Sequence, residues 1–342
     1  MFRATTGLAT VLCLLPGVAY AHVKWFAAYD VAAPPEPLSA VFSSQFIGFL
    51  FFTAYVLAVV FLIDCVLADR GWNKLVDMFF DRFRPYSPDI LRICLGAFLL
   101  CLWLRGGIIL TPELKTDSAW IPWFQLVLAI CTISWRTTFI TGIGLFVLYG
   151  IAIYEYGVFH LMDYPLFLGI AVYLGIRSLD IERLAPYALS ILYVSTVQTL
   201  LWASIEKWAY WNWTMPLLET HREITFGIDP RAYIMLAGFV EFAATYVLLV
   251  GRLSQRASAF ALLVIFIAAI VDFGKLDAVG HLMIIATLAV FVINGTARIN
   301  AVFHSTTAPY LVECSKLVGV FLLSLVLYFS QYYILHAVLF GT

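Results

Sequence analysis

Several ionisable residues sit in stretches of this chain that are otherwise written for lipid. Between Leu200 and Met283 it reads LLWASIEKWAY, then GFVEFAATYVLLVG, then VDFGKLDAVGHLM, and each piece carries charge into or beside an apolar run. Glu241 lies about nine residues into a span starting near Ala232, which at ~1.5 Å per residue puts it roughly 14 Å deep, near the bilayer centre. A lone carboxylate there is costly enough to demand a partner or a wet hollow. Lys207, at the outer end of the preceding span, is the countercharge, with Glu206 beside it and Asp272 in the next connection. Asp277 and His281 are four apart on one helix and share a face, so the carboxylate orients the imidazole. Ser195, Gln198, Trp202 and Glu206 recur at three- and four-residue spacing and form a polar stripe. Such a set can hydrogen-bond the polar head of a ligand and pass protons toward the nearer membrane face. The same Glu241–Lys207 pair also suits a second role, gluing helices together.

The elements that must position these groups follow from composition. Of 342 residues 63% are apolar and 12% charged, against roughly 25% charged in soluble domains. Repeated apolar runs of about 20 residues predict an all-α polytopic membrane protein and not a barrel, whose strands alternate over about 10 residues. The formal net charge of -1 offers no concentrated basic face, so nucleic acid is excluded as a partner and the bilayer is the first one. The six cysteines show no C-x-x-C and read as fillers of apolar spans. No P-loop, Rossmann glycine pattern or nucleophile elbow is present, which argues against nucleotide-driven or hydrolytic chemistry.

Residues 1–21 have the layout of a cleaved signal ending in Ala19-Tyr20-Ala21, and 22–43 read as an extended external arm rich in proline. About ten spans follow, near 44–67, 90–110, 120–135, 139–156, 164–176, 188–210, 232–250, 257–273, 279–292 and 316–338. Segment 72–84 reads as an amphipathic helix on the inner face, with Trp72, Val76, Phe79 and Phe83 opposite the charges. Its basic residues set the orientation: both ends of the mature chain lie on the exported, periplasmic side of an inner membrane. Trp120, Trp123, Trp202, Trp208, Trp211, Trp213 and Tyr210 read as an interfacial aromatic belt, with stacking on a ring-shaped ligand as the alternative.

A shift of about 117 residues lays ITGIGLFVLYGIAIYEYG over ASAFALLVIFIAAIVDFG, matching Glu155 to Asp272 and Gly157 to Gly274. The expected organisation is therefore two tandem four-helix units, 88–183 and 186–298, preceded by 44–87 and followed by 299–342, with one flanking helix at each end. The second unit resembles the DoxX-like family of small four-helix membrane proteins. Lys207 in WASIEKWAY, Gly238 and Glu241 in GFVEFAATYVLLVGR, and the Gly251-Arg252 turn carry the resemblance. It implies a membrane subunit of a redox complex that binds quinone or a partner protein. In that reading Glu241, Lys207, Asp277 and His281 carry hydrogen bonding and proton transfer, while Gln198, Trp202, Glu206 and Asp272 surround the quinone.

Two other readings stay open. A mature N-terminal His22 would place an amine beside an imidazole, a copper-chelating pair, with His160, His221 or His281 as a further ligand. A small-solute transporter would need interrupted helices, for which the Gly274 turn, the short fifth span and Gly280 are the hints.

Overall fold

The computed structural model describes residues 23–304 and 308–341. Its principal helices are α1 (Ser44–Asp69), α2 (Trp72–Phe80), α3 (Ser87–Arg105), α4 (Trp120–Cys131), α5 (Trp135–Tyr156), α6 (Pro165–Ser178), α7 (Ala185–Ala209), α8 (Trp211–Thr220), α9 (Pro230–Val250), α10 (Ser254–Asn294) and α11 (Tyr310–Phe340). Among the described residues, seven are long and apolar enough to cross a membrane: α1, α3, α5, α7, α9, α10 and α11. The protein is an all-α, multi-pass membrane protein.

α10 is two antiparallel limbs. Gly274 leaves the helical region with φ 76°, ψ -150°, a conformation open to glycine and strained for other residues. The chain then doubles back, so that Arg256 Nε donates to the carbonyl of Val292 at 3.0 Å and the Phe266 and His281 rings lie 4.8 Å apart. Gly157, the residue matched to Gly274 by the 117-residue shift, ends α5 with φ 84°. With α10 split and α2 and α8 set aside, one helical segment falls at each of the ten expected spans. α4 and α6, with 12 and 14 residues, reach only about 18 and 21 Å. The missing depth beside α4 is filled by the loop before it, whose Ile109, Leu110 and Leu114 are fully buried.

Neighbours pack in the order α3–α4, α5–α6–α7–α9–α10, with α10 returning to α3, while α1 and α11 pair with each other against α9 and α7. Small residues allow the closest approaches. A Cβ at Gly142 of α5 would stand 2.9 Å from the Ala171 carbonyl oxygen of α6. Helix starts are capped locally: the Ser43 hydroxyl accepts from the Phe46 amide, and Asp229 accepts from the Ala232 amide ahead of Pro230.

At the bundle end away from residues 23–43, the buried Asp64 carboxylate of α1 accepts from the amides of Arg252, Leu253 and Ser254, each at 2.8 Å. It thereby satisfies the free N–H groups where α10 begins. On α2 the exposed apolar face is Trp72, Leu75, Met78 and Phe79; Val76 is half-buried, and Asp77 turns inward to Arg256 at 2.8 Å. The apolar stripe thus runs about one position away from the expected one, because Asp77, itself part-exposed, is shared between Arg256 of the bundle and Arg84.

Segment 23–43 does not trail away from the bundle. It is stitched across one end: the Glu36 amide donates to Ala209 O at 2.9 Å, Tyr210 OH to Ala33 O at 2.7 Å, and Tyr333 OH to Glu36 O at 2.7 Å. Its proline-rich stretch has few amides to satisfy, and the side chains of Tyr210, Trp211 of α8 and Tyr333 of α11 supply donors to it.

Candidate functional site

Beneath this arm lies a cavity of about 110 Å³, bounded by the arm, the loop 108–114, α6, α7, α9 and both limbs of α10. Its walls are largely apolar, with Leu166, Phe167, Leu262, Phe266, Met283 and Ile284 among them, and a few charged side chains converge on it. That is the composition of a small-molecule site.

Lys207 Nζ stands 2.5 Å from Glu241 Oε2, and the two side chains are 14% and 13% exposed at the cavity rim. Glu241 is the twelfth of the 21 residues of α9. Lys207 is two residues from the end of α7, so its partner is level with the last turn of α7, and Trp208 packs against Gly238 one turn away. The first two turns of α9 instead run past the end of α7 along α8, where Leu218, Ile224, Tyr233 and Ile234 form a separate apolar cluster.

His281 lines the cavity, and its Nδ1 is 2.9 Å from Asp277 Oδ2, itself fully buried behind it. With Nδ1–H donating to the carboxylate, Nε2 is an acceptor. Glu206 also reaches the cavity, on the neighbouring face of α7.

Gln198, Trp202 and Asp272 are elsewhere. Gln198 Oε1 accepts from Tyr328 OH of α11 at 2.8 Å, and Trp202 is fully buried between Phe159 and Tyr332. Each four-residue step turns a helix face by about 40°, so the stripe rotates by roughly 80° from Gln198 to Glu206. Ser195 therefore packs against Gly169 of α6, Gln198 and Trp202 meet α11, and only Glu206 meets the cavity. Asp272 is exposed in the turn before Gly274.

The site also contains residues that apolar patterning did not single out. Lys24 of the arm is driven inside the bundle and joins two carboxylates, Glu206 Oε1 at 2.8 Å and Asp163 Oδ2 at contact distance. Burial is the largest influence on this lysine and favours its neutral form. The attraction of Asp163, Glu206 and Glu113 together outweighs it and raises the Lys24 pKa above its ordinary value. Asp163 Oδ1, on a side chain with no exposure, has no hydrogen-bond partner among the described residues. Trp25 lies in the notch left by Gly280, 4.7 Å from the His281 ring. Tyr29 sets its ring against His160 and Trp213; burial, ahead of the nearby Glu113 charge, pushes its phenol above the usual range.

The second missed group sits in the loop 106–117, between α3 and α4. The loop folds inward as a small hairpin: Ile109 N donates to Leu114 O at 2.7 Å, and Gln125 Nε2 to Ile108 O at 3.0 Å. It needs left-handed backbone at Gly106, Gly107 and Leu110, the last with φ 57°, a conformation that costs a leucine roughly 1–2 kcal/mol. The strain delivers Glu113 to a buried position, where Oε1 accepts from Tyr164 OH at 2.5 Å and lies 2.6 Å from His160 Nε2. A lysine beside aromatics in HVKWF and an acid before Tyr-Pro in HLMDYP were the available signals.

Among the described residues, no group of three or more His, Cys, Asp or Glu side chains could hold a metal ion. His22 lies outside the described residues; His160 is engaged with Glu113, and His221 Nδ1 is 3.5 Å from Glu223. Gly274 closes a hairpin between two helices and does not interrupt one helix in mid-span.

No family model, curated protein or solved structure matches this chain. Fold and site therefore define a class: a multi-pass helical membrane protein with a buried, charge-lined cavity sealed at one end by its own arm.

Proposed function

We propose that the cavity binds the polar head of a ring-shaped, hydrogen-bonding molecule dissolved in the membrane, a quinone or quinol, and that the protein is a subunit of an inner-membrane redox complex with the arm end facing the exported side. The observation that carries this reading is the direction of access. The arm closes the cavity from the bundle end, while Ala203, Lys207, Val240, Glu241 and Ile265 keep partial exposure at its rim, all on helices of membrane-spanning length. A ligand approaching between those helices comes from lipid, and an isoprenoid tail stays there while the head enters.

The polar groups fit such a head. Lys207 donates to a carbonyl, Glu241 and His281 Nε2 accept from a hydroxyl, and the unpartnered Asp163 oxygen takes another donor. The volume sets a condition. About 110 Å³ is smaller than the ~150 Å³ that accommodates benzene in a protein core, so the ring enters with a shift of Trp25 or of the Lys207–Glu241 pair. The resemblance of the second unit to DoxX-like proteins points the same way.

Trp25 and Trp213 line the cavity and report occupancy. Titrating the purified protein with a short-tailed benzoquinone should quench tryptophan fluorescence saturably. Glu241→Gln should abolish the saturable part while membrane levels stay nearly normal. Linear, collisional quenching in the wild type refutes the assignment; failure of Glu241→Gln to accumulate favours the helix-gluing role instead.

A further inference from the structure

The cavity wall has a feature that ligand binding alone does not require. Tyr164 and Thr111 form part of it, and the Tyr164 hydroxyl donates to Glu113 Oε1 at 2.5 Å; His160 Nε2 lies 2.6 Å from the same oxygen. Tyrosine, carboxylate and imidazole thus form one unbroken hydrogen-bonded chain that starts at the cavity and leads away from Lys207 and Glu241. Glu113 does not touch the cavity itself, yet a strained, buried hairpin places it between the other two. Helix packing gains nothing evident from a carboxylate in that position, since apolar side chains fill the rest of the loop.

We propose that Tyr164, Glu113 and His160 are the route by which a proton leaves the cavity, so that of the two redox forms of the ligand the dihydroxy ring gives up a hydroxyl proton on binding and the oxidised ring does not. This rests on the ring-ligand reading and adds the protonation state of the ligand to it. In the step, the ligand O–H bond breaks and its proton goes to the Tyr164 oxygen while the Tyr164 proton moves to Glu113 Oε1. Glu113 then passes a proton to Nε2 of the His160 tautomer that carries its own proton on Nδ1. One proton has moved and no electron: once the imidazolium gives its Nδ1 proton to water, the products are a ligand oxyanion and a proton in solution, with Tyr164 and Glu113 restored and His160 neutral.

The surroundings suit both charged species. The oxyanion forms beside the Lys24 and Lys207 cations. The imidazolium forms next to Glu113, with the rings of Tyr29 and Tyr156 edge-on to it. Other charges that bear on the chain are Asp163 and Glu206, which share the single Lys24 cation of the arm, and Glu241, which is paired with Lys207. Tyr156 OH is held by the Lys115 carbonyl at 2.6 Å, which fixes the ring over His160 from the loop side.

The test uses the full chain in detergent, titrated anaerobically with a short-tailed benzoquinol by calorimetry in two buffers of different ionisation enthalpy. The wild type should release a proton per quinol bound, and its affinity should rise with pH by up to tenfold per unit. In Glu113→Gln and in Tyr164→Phe the released proton and the pH slope should both disappear. The matching quinone should show no proton release in any of the three proteins. Either variant that binds quinol with the wild-type slope and stoichiometry overturns the route, and if one does not fold the other decides. No binding of quinol by the wild type refutes the ring-ligand assignment, and the route with it, whereas proton release that survives in both variants refutes the route alone.

Discussion

Lys24→Met tests how the arm is held. Lys24 and Asp163 have side-chain exposures of 1% and 0%, and Glu206 one of 8%, so little solvent screens the three. Methionine keeps the length and most of the apolar stem, leaving packing nearly unchanged. What disappears is the cation between two buried carboxylates, and removing one partner of such a set costs about 3–5 kcal/mol. The loss should appear as release of the arm and not as unfolding of the bundle, because lifting residues 23–37 lets water reach both acids. A shift of that size raises the released population by a factor of roughly a hundred to a few thousand. Hydrogen exchange reads it directly at the Glu36 amide, bonded to Ala209 O at 2.9 Å, and limited proteolysis reads it along the arm. The excess should shrink at acid pH, where protonation neutralises the carboxylates. Adding Asp163→Asn and Glu206→Gln to Lys24→Met should recover most of the loss. A cost below about 1 kcal/mol for Lys24→Met, or no recovery in the triple variant, would refute the account of the buried ion pairs.

The wild-type arm has a pH dependence of definite sign. The pKa of Lys24 is raised by folding, so its contribution is fully present below the unfolded value of 10.5 and is lost as pH rises beyond it; arm proteolysis should stay flat from neutral to about pH 10 and then increase. Gly280→Ala puts a Cβ into the Trp25 ring and should expel that side chain, seen as a red shift of tryptophan emission and faster arm proteolysis, with α10 still folded. Asp64→Ala strips the acceptor from three amides and should lower stability by about 3 kcal/mol, measured by thermal unfolding in detergent; Asp64→Asn should cost less, since one acceptor oxygen remains.

Helices were legible because lipid leaves little choice: an apolar run of about 20 residues with every amide satisfied internally is a helix. Gly157 and Gly274 mark breaks in both sequence and structure for the same steric reason. The pairing of Asp277 with His281 was legible from a local spacing, as local geometry fixes it. Gln198 and Trp202 show the limit of the same method. Spacing says that residues share a side of a helix, but whether that side meets a cavity or a neighbour such as α11 depends on what packs there.

Lys24, Glu113 and Asp163 lie far apart in the chain and in segments without periodicity, so no pattern joins them. The sequence by itself determined the class of protein, the number of helical segments and the charged stretch around Lys207, Glu241 and His281. Only the tertiary structure decided that residues 23–43 fold back over the bundle and that the loop before α4 turns inward. The reason is energetic: a lysine, an aspartate and two glutamates each too costly to bury alone become tolerable when four separate segments bring them together.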